Sequence, residues 1–515
     1  MVKNHLPANR KAVLIIFAVL IVVFSLYRCS NSPKINTPEE DAAEGQVLAK
    51  KYCVSCHSFP AAGLIDRDSW IKRVLPAMGK QLGVQVYMGQ YFCDSRSALT
   101  TPEWLKIVAY YNTAPSSLTI PKPAVEPVND WAIFSLRKPA KVNATMPAMT
   151  TMISFDPAGK TLYTADAANN LYRWDSALNA KLVHKFDSPV TGLNYLNDGK
   201  NTAIVTCIGN MAPVNLSKGK VLLFDLAGNN KKPALIADSL PRPVQTVSAD
   251  FNKDGLMDYV TCGFGHDHGG LYLLKQQSDH HYTKTMISSI AGGEQLITGD
   301  FNNDGWPDVM CLFAQADEGI RMFLNDHKGG FITQTLLRFP PVYGSSSFQL
   351  VDFNHDGKPD ILYTCGDNSD FSKVLKPYHG VYMFTNQGNW KFKQTYFYHI
   401  DGCTKAIAAD FDHDGDLDIA TIAFFANFKY HPQQGFIYLE QIAPNKFTAH
   451  EVPVNAYGRW LTMEVADIDR DGYDDVILGN FSTTGRGLVN QTGFKPGWDM
   501  YIPLIVLKNQ ASTPK

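Results

Sequence analysis

The sequence lacks an excess of charge of either sign, because 47 lysines and arginines stand against 49 aspartates and glutamates and leave a net charge of −2. With no uncompensated basic stripe, the chain is not predicted to bind nucleic acid. It also lacks the G-x-S-x-G, H-E-x-x-H and phosphate-loop motifs of several large enzyme classes. No catalytic residue is therefore assigned, and a carrier or binding role is expected before an enzymatic one.

The sequence also lacks the cysteine spacing that would predict a disulfide framework. Four of the nine cysteines recur at similar places in successive apolar runs, which is typical of small buried residues. These four are Cys207, Cys262, Cys311 and Cys365. Cys53 and Cys56 differ, because they form a C-x-x-C-H motif with His57. No second C-x-x-C completes a zinc site, so the motif predicts one covalent c-type haem with His57 as proximal iron ligand.

Only one long apolar run is present, and it lies at the N-terminus. It extends from Ala12 to Tyr27 after three basic residues, a little short of the ~20 residues of a membrane span. We predict a signal or membrane anchor at 1–29, with the remainder exported to the periplasm or cell surface. Cys29 could be a lipoprotein cleavage site. Arg28, however, stands where such sites have a small residue, so an uncleaved anchor with a cytoplasmic N-terminus is the alternative.

A small all-α domain is predicted at 41–115, between a polar linker at 30–40 and a proline-rich linker at 116–140. Helical patterns cover 41–51, 68–80 and 101–111. The C-x-x-C-H motif, followed by Trp70, Val74 and Met78 and then by the run E-W-x-x-I-V-x-Y-Y, resembles small class I-like cytochrome c domains. That resemblance implies Met78 as the sixth iron ligand. Met88, in a glycine-flanked loop, is the alternative, and a third possibility is that neither methionine ligates.

Five loops share the pattern D-x-[DN]-x-D-G-x-x-D and predict bound Ca²⁺ or a similar hard ion, up to five in number. They lack a glutamate at the twelfth position and flanking amphipathic helices, which excludes an EF-hand. The predicted ligands at positions one, three, five and nine are Asp250, Asn252, Asp254 and Asp258; Asp300, Asn302, Asp304 and Asp308; Asp352, Asn354, Asp356 and Asp360; Asp410, Asp412, Asp414 and Asp418; and Asp467, Asp469, Asp471 and Asp475. Glycine occupies the sixth position of every loop.

These loops belong to a repeat that predicts an all-β seven-bladed propeller over 141–515, so the chain is expected to be multidomain. Unit starts fall near Thr151, Thr191, Val247, Leu296, Phe348, Ala406 and Met463. The strand Ile502–Leu507 is expected to complete a blade and close the ring. The loops resemble FG-GAP or VCBS repeats, the calcium-loop propellers of integrin α-chains, well over 245–485 and weakly over 141–245. That family implies a scaffold, with ligands bound away from the cation loops.

Two groups of polar residues lie outside the cation loops. The innermost strand of each propeller blade is expected to line a central channel. Residues five positions before the first loop aspartate are predicted to form a polar ring facing that channel: Gln245, Gln295, Ser347, Lys405 and Thr462. A second group is predicted in long loops at the opposite face and includes His266–His268, 367–370, Lys429–His431 and Tyr457–Trp460. Such loops could bind a carbohydrate or small-molecule ligand.

The sequence therefore predicts an exported, membrane-tethered electron-transfer protein with one haem and a calcium-stabilised propeller. Its expected partner is a redox protein or another component of an electron-transport chain. One alternative is a propeller dehydrogenase that oxidises a small substrate and passes electrons to its own haem. A second alternative is a surface carbohydrate-binding or adhesion module.

Overall fold

The computed structural model of this chain describes residues 36–123, 125–140, 145–196, 201–227, 232–369, 371–482 and 494–511. The predicted anchor at 1–29, including Cys29, lies outside these residues. Within them, no helix is both long enough and apolar enough to cross a membrane.

A small helical unit comes first in the described chain. Helix α1 (Pro38–Tyr52) begins at a capping box in which Thr37 and Glu40 bond each other's backbone N–H. A short turn α2 (Arg67–Ser69) continues through a π-helical turn (Trp70–Val74) into α3 (Leu75–Gln81). A hairpin of β1 (Val84–Tyr87) and β2 (Gln90–Cys93) precedes helix α4 (Thr101–Tyr111). All three helical segments predicted from the sequence are present, the middle one with a π-helical turn.

The helical unit is held together where its first and last helices cross. Gly45 of α1 sits directly on the backbone of α4, and a Cβ built on it would lie 1.8 Å from the carbonyl oxygen of Lys106. Because only glycine permits this approach, the crossing is fixed by one residue. Beneath it lies an aromatic core that contains Trp70, Trp104 and Tyr111, all 1% exposed.

Seven four-stranded antiparallel sheets follow and form the blades of a propeller. The first strand of each blade packs against the first strands of its neighbours around the ring. These first strands are β4 (Thr150–Asp156), β8 (Val190–Tyr195), β12 (Pro243–Ala249), β16 (Gly293–Gly299), β20 (Ser345–Val351), β24 (Lys405–Ala409) and β28 (Trp460–Ala466). Each contains one of the seven predicted unit starts, so the seven-bladed prediction is confirmed.

The second, third and fourth strands lie progressively farther from the channel. The second strands are β5 (Thr161–Asp166), β9 (Thr202–Cys207), β13 (Asp258–Gly263), β17 (Asp308–Phe313), β21 (Asp360–Cys365), β25 (Asp418–Ile422) and β29 (Asp475–Asn480). The third are β6 (Asn170–Trp174), β10 (Gly219–Asp225), β14 (Gly270–Gln276), β18 (Gly319–Asn325), β22 (Gly380–Asn386), β26 (Phe436–Ala443) and β30 (Leu504–Asn509). The fourth are β7 (Ala180–Lys185), β11 (Ala234–Leu240), β15 (Tyr282–Ser288), β19 (Phe331–Arg338), β23 (Phe392–His399), β27 (Lys446–Glu451) and β3 (Phe134–Arg137).

The seventh blade closes the ring with strands from both parts of the chain. Its third strand, β30, carries most of the predicted terminal strand, and its outer strand, β3, pairs antiparallel with β30. Strand β3 lies inside the segment predicted as a linker at 116–140. Phe134 anchors it: the ring is 3% exposed and meets Tyr438 edge-on at 5.2 Å. The predicted linker therefore ends as part of the propeller.

The helical unit docks on the fifth blade. The hydroxyl of Tyr378, in the connection from β21 to β22, donates to the carbonyl oxygens of Leu64 (3.1 Å) and Val342 (3.2 Å). Val342 also packs against the core of the helical unit. Tyr343 stacks on Tyr378 at 4.4 Å. Because the cation loops join first to second strands, these second-to-third and fourth-to-first connections lie at the opposite face of the propeller.

Candidate functional site

The C-x-x-C-H motif begins where helix α1 ends. Cys53 caps α1 and opens a single 3₁₀ turn (Cys53–Ser55). Cys53 is half-buried, Cys56 is exposed, and His57 is buried at 9% exposure. Burial raises the pKa of the Cys53 thiol. The fold therefore leaves one thiol accessible and sets the other against the helical core.

His57 is oriented by a neighbouring carbonyl group. Its Nδ1 lies 2.8 Å from the carbonyl oxygen of Ser58. Within the described part of the chain, Nε2 makes no hydrogen bond. A ring whose Nδ1–H is held by a backbone carbonyl presents a lone pair at Nε2, the arrangement that metal-ligating histidines use. The residues at this turn thus fit a haem that two cysteines would attach covalently and whose iron His57 would ligate.

The two candidate methionines have different surroundings. Met78 lies in α3, half-buried against the same core that Cys53 contacts. Met88 lies at the tip of the β1–β2 hairpin, 85% exposed and with a φ of 48°. The position of Met78 favours it as the sixth ligand, and this ligation stays a prediction.

The five cation loops share one backbone conformation. The carboxylate at position one accepts a hydrogen bond from the backbone N–H of the sixth-position glycine at 2.8–3.2 Å in every loop. These glycines have φ between 80° and 96°, and the fourth-position residues also have positive φ. In each loop the left-handed residues at positions four and six wind the backbone tightly, so that alternate side chains turn toward one point.

The carboxylates converge most clearly in the last two loops. Ligand oxygens of Asp410, Asp412 and Asp414 lie within 4.8 Å of one another, as do those of Asp467, Asp469 and Asp471. The first three loops place an asparagine amide at position three, where Asn252 and Asn302 donate to the fifth-position aspartates at 2.8 and 2.7 Å. All five loops thus offer oxygen ligands to a hard cation, two of them with three carboxylates together.

The ninth-position aspartates have a second task. All five are buried, at 0–1% exposure. In each blade one carboxylate oxygen accepts a backbone N–H from the end of the third strand at 2.8 Å. Burial raises the pKa of Asp258 to about 6 and that of Asp418 to about 7. These carboxylates brace the second strand to the third. In four of the five loops the other oxygen also accepts a hydrogen bond, and in Asp258 it has no partner among the described residues.

The loops differ in how their charge is neutralised. Loop two has His327, whose Nε2 lies 2.8 Å from Asp304, and loop three has Lys358 at 2.8 Å from Asp356. In loop five, Lys508 on β30 pairs with Asp469 and lies 3.1 Å from Asp471. Across the described ranges, no cationic side chain pairs with Asp410, Asp412 or Asp414 of loop four. Loop four therefore needs an external cation most, and loop five carries two internal ones, because Arg137 also lies 3.7 Å from Asp469.

Replacing Lys508 by methionine is expected to strengthen Ca²⁺ binding at loop five by about tenfold, or ~1.4 kcal/mol. The ammonium group occupies the carboxylates that a cation would use, and methionine retains the aliphatic stem without the charge. Titration calorimetry on chelator-treated protein would measure the affinity. Lys391→Met, at an exposed hairpin turn of blade five, is the matched control. Unchanged binding in Lys508→Met would contradict the competition.

The predicted polar ring joins neighbouring blades. The side-chain amide of Gln295 brackets the backbone of Phe348, accepting its N–H at 3.0 Å and donating to its C=O at 2.8 Å. Gln245 accepts the N–H of Leu296 at 2.8 Å. Lys405 donates to the carbonyl of Met463 at 2.8 Å. Four of the five members of this register therefore link neighbouring first strands, whereas the Thr462 hydroxyl is buried with no hydrogen-bond partner among the described residues.

The loops at the opposite face divide into exposed and buried groups. Asp267 and His268 are exposed, and Asp267 is tied to Asn215 by two hydrogen bonds of 2.8 and 2.9 Å. Arg459 and Trp460, by contrast, are buried at 0% and 1% exposure. The Arg459 guanidinium lies 3.6 Å over the Phe424 ring, and its burial lowers its pKa to about 9. These two residues were predicted in an exposed loop, and this part of the prediction is wrong because the cation–aromatic pair is interior packing.

Two features of these sites were not evident from the sequence pattern. One is Lys508, whose role follows from the position of β30 as the third strand of the seventh blade. The other is the indole of Trp104, which is 1% exposed and whose Nε1 has no hydrogen-bond partner among the described residues. Residue type and helical spacing do not indicate whether the N–H of Trp104 is paired.

Comparisons with known proteins support the repeat architecture. A family model of the FG-GAP-like repeat matches residues 250–311 and 300–363. Cartilage acidic protein 1 of Mus musculus is 23% identical over 235 residues, which is 42% of this chain and 34% of that protein. Integrin alpha-3 of Mus musculus is 30% identical over 135 residues, 23% of this chain and 13% of that protein. The match thus spans about a third of cartilage acidic protein 1 and a smaller part of the integrin.

Among solved structures, the β-propeller domain of Myceliophteria thermophila Cps50 (Swd1) aligns with a TM-score of 0.42 and 10% identity. The alignment covers 72% of this chain and 99% of that one. Independently of that alignment, the family match and the seven four-stranded sheets show FG-GAP-like repeats on a seven-bladed propeller, an architecture that suits the chain to bind a ligand or partner.

Proposed function

We propose that this protein is an exported, membrane-tethered electron carrier in which a c-type haem on the helical unit is presented by a calcium-stabilised propeller. The observation that carries the proposal is the turn at Cys53–His57. It joins two cysteines, one of them exposed, to a buried histidine whose Nδ1 is held by a carbonyl and whose Nε2 is left for a ligand. This donor set matches covalent haem better than a redox dithiol or a zinc site.

In this proposal Cys53 and Cys56 hold the haem through thioether bonds, and His57 and Met78 ligate its iron. A haem with histidine and methionine ligands exchanges single electrons and has no open position for oxygen chemistry. The protein's own contribution is to orient His57, to shield one side of the site with the helical core, and to fix the unit on the propeller. Tethering to a membrane fits a motif whose haem is attached outside the cytoplasm.

The propeller would serve as the docking platform. Tyr378 and Val342 fix the helical unit at the face opposite the cation loops. Exposed loops such as the one containing Asp267 and His268 lie at that same face. A redox partner bound there would meet both the propeller and the helical unit. The cations, on the far face, would stabilise the blades without taking part in electron transfer.

Visible spectra of anchor-free protein, made in a host that attaches c-type haem, test the proposal. We expect a low-spin c-type spectrum with a methionine-to-iron charge-transfer band, which Met78→Ala abolishes and Met88→Ala retains. Cys56→Ala should lose one thioether, leaving haem that is shifted in its spectrum or absent. A wild-type protein without covalent haem would contradict the proposal.

The same preparation separates the two alternatives. Reduction of the haem by a small sugar or alcohol, without a protein donor, would favour the dehydrogenase. Carbohydrate binding by a protein that carries no haem would favour the adhesion module.

A further inference from the structure

A buried asparagine connects cation loop two to cation loop one. Asn325 ends β18 in the fourth blade, and its backbone N–H donates to Asp308, the ninth residue of loop two, at 2.8 Å. Its side-chain Nδ2 donates at 2.7 Å to the carbonyl oxygen of Phe251, the second residue of loop one. The other oxygen of Asp308 accepts the N–H of Phe301, the second residue of loop two, at 3.0 Å. An unbroken series of hydrogen bonds therefore joins the second residues of two neighbouring loops.

The same series of hydrogen bonds connects loop five to loop four. Asn509 is buried at the end of β30 in the seventh blade. Its N–H donates to Asp475 at 2.8 Å, and its Nδ2 donates to the carbonyl oxygen of Phe411, the second residue of loop four, at 2.7 Å. Asp475 also accepts the N–H of Ile468, the second residue of loop five, at 3.4 Å. Two pairs of adjacent loops thus share one connection, with equal distances at the asparagine.

Loop three lies outside this connection. Asn386 holds the equivalent position in the fifth blade, where its N–H donates to Asp360 at 2.8 Å and its Nδ2 to the carbonyl oxygen of Pro359 at 3.1 Å. The asparagines of the two pairs make these same bonds within their own loops. Among the described residues, however, Asn386 makes no hydrogen bond to loop two. The Phe301 carbonyl of that loop accepts the indole N–H of Trp390 instead.

The paired loops also touch at the surface. Lys253, the fourth residue of loop one, places its Nζ 4.5 Å over the ring of Trp306, the seventh residue of loop two. His413, the fourth residue of loop four, stacks at 4.3 Å on Tyr473, the seventh residue of loop five. The seventh residues of loops three and four are not aromatic. Loops one and two, and loops four and five, are therefore paired by two kinds of contact.

The carbonyl group that each asparagine binds stands between two predicted ligands. Phe251 lies between Asp250 and Asn252, and Phe411 lies between the first and third aspartates of loop four. Because the peptide group is planar, a bond that fixes the oxygen of the second residue also fixes the nitrogen of the third. The orientation of the third ligand is therefore tied to the asparagine of the next blade.

We propose that Asn325 and Asn509 are positioning residues that make calcium bind cooperatively within two pairs of loops, one with two and four with five, while loop three binds alone. This inference rests on the calcium sites of the proposed function. A cation that draws the ligands of one loop together orders its second residue, and the hydrogen bonds pass this order to the neighbouring loop. Such coupling is reciprocal, and we expect each loop of a pair to raise the affinity of the other about tenfold.

Terbium luminescence in the full chain measures the affinity of loop two, because Tb³⁺ is a hard cation that takes oxygen ligands as Ca²⁺ does. Trp306 sensitises an ion bound in its own loop, and Trp306→Leu should abolish that signal. Asp254→Asn removes a ligand charge from loop one and should weaken Tb³⁺ binding at loop two about tenfold. Asp356→Asn makes the same change in loop three, the neighbour on the other side, and should alter that binding by less than about twofold.

Asn325→Ala tests the asparagine itself. In this background Asp254→Asn should no longer weaken Tb³⁺ binding at loop two. Asn386→Ala is the matched control, because it removes the corresponding bond to the eighth-position carbonyl without breaking a bond to another loop, and it should leave the effect of Asp254→Asn intact. If Asn325→Ala is too unstable to study, Asn325→Asp has the same size, has no side-chain N–H to donate, and should give the same result.

Two results would overturn the inference. Equal effects of Asp254→Asn and Asp356→Asn on loop two would assign the change to charge alone. An effect of Asp254→Asn that persists in Asn325→Ala would assign the coupling to the surface contact between Lys253 and Trp306. A wild type that binds no Tb³⁺ would instead refute the calcium sites of the proposed function, so the two failures are distinguishable.

Discussion

Replacing Gly45 by alanine is expected to disrupt the helical unit, and with it the attachment of the proposed haem, while the propeller remains folded. One added methyl group would lie 1.8 Å from the carbonyl oxygen of Lys106, a distance that no rotamer change can relieve because both atoms are fixed to backbone. Helices α1 and α4 would have to separate. We expect a loss of about 3 kcal/mol or more, at the upper end of effects from overpacking.

Gly63→Ala is the matched control, since a Cβ at Gly63 would meet nothing within 4 Å. Far-ultraviolet circular dichroism would report the helices, and the absorbance of covalently attached haem would report the site. Limited proteolysis would show whether the blades stay resistant. A Gly45→Ala protein with wild-type stability and haem content would show that the helices do not cross in this way.

Removing calcium from the proposed loop sites is expected to destabilise the propeller, with loop four responsible for the largest single part. Asp410, Asp412 and Asp414 hold three carboxylates within 4.8 Å, and one oxygen of Asp410 is buried without a partner among the described residues. Burial, with Asp414, Asp410 and Glu440 nearby, raises the pKa of Asp412. A cation would reverse this repulsion. At a free concentration one hundred times the dissociation constant, one site stabilises the fold by about 2.7 kcal/mol.

The size of the Asp410→Ala effect should depend on calcium. With calcium we expect the variant to melt several degrees below the wild type, because a ligand is lost. In chelator we expect a smaller shift, because the lost hydrogen bond from the Gly415 N–H is offset by the removal of one repelling charge. Asp416→Ala is the control, since position seven contributes its backbone carbonyl. Differential scanning calorimetry with and without EGTA would decide, and equal melting shifts in both conditions would contradict a cation at loop four.

Repeating features of this fold could be predicted from the sequence, and features that depend on distant pairing could not. The seven unit starts are correct because each first strand follows the same apolar pattern and most precede a D-x-[DN]-x-D-G loop. Strand β3 has only four residues, follows a proline-rich stretch, and pairs with β30 at the far end of the chain. No local pattern identifies such a partner.

For the candidate sites, too, the sequence predicted the repeating residues but not the contacts that depend on distant strands. Spacing grouped four carboxylate or amide positions in every loop. It could not show that the ninth-position aspartates accept backbone hydrogen bonds, or that Lys508 reaches loop five. Both depend on where the third strand of the blade ends. The prediction that Arg459 and Trp460 lie in an exposed loop was wrong for a related reason. An arginine next to aromatic residues gives the same sequence pattern in an exposed loop and in a core.

The pairing of Phe134–Arg137 with Leu504–Asn509 imposes an order on biosynthesis. The strand that completes the last blade is translated before any other strand of the propeller, and its partner is translated after all the others. Contacts of such sequence separation form late. The helical unit, whose helices meet within a span of about seventy residues, needs no such wait. It can fold while the ring is still an open arc, so formation of the helical unit and closure of the propeller are separate events in time.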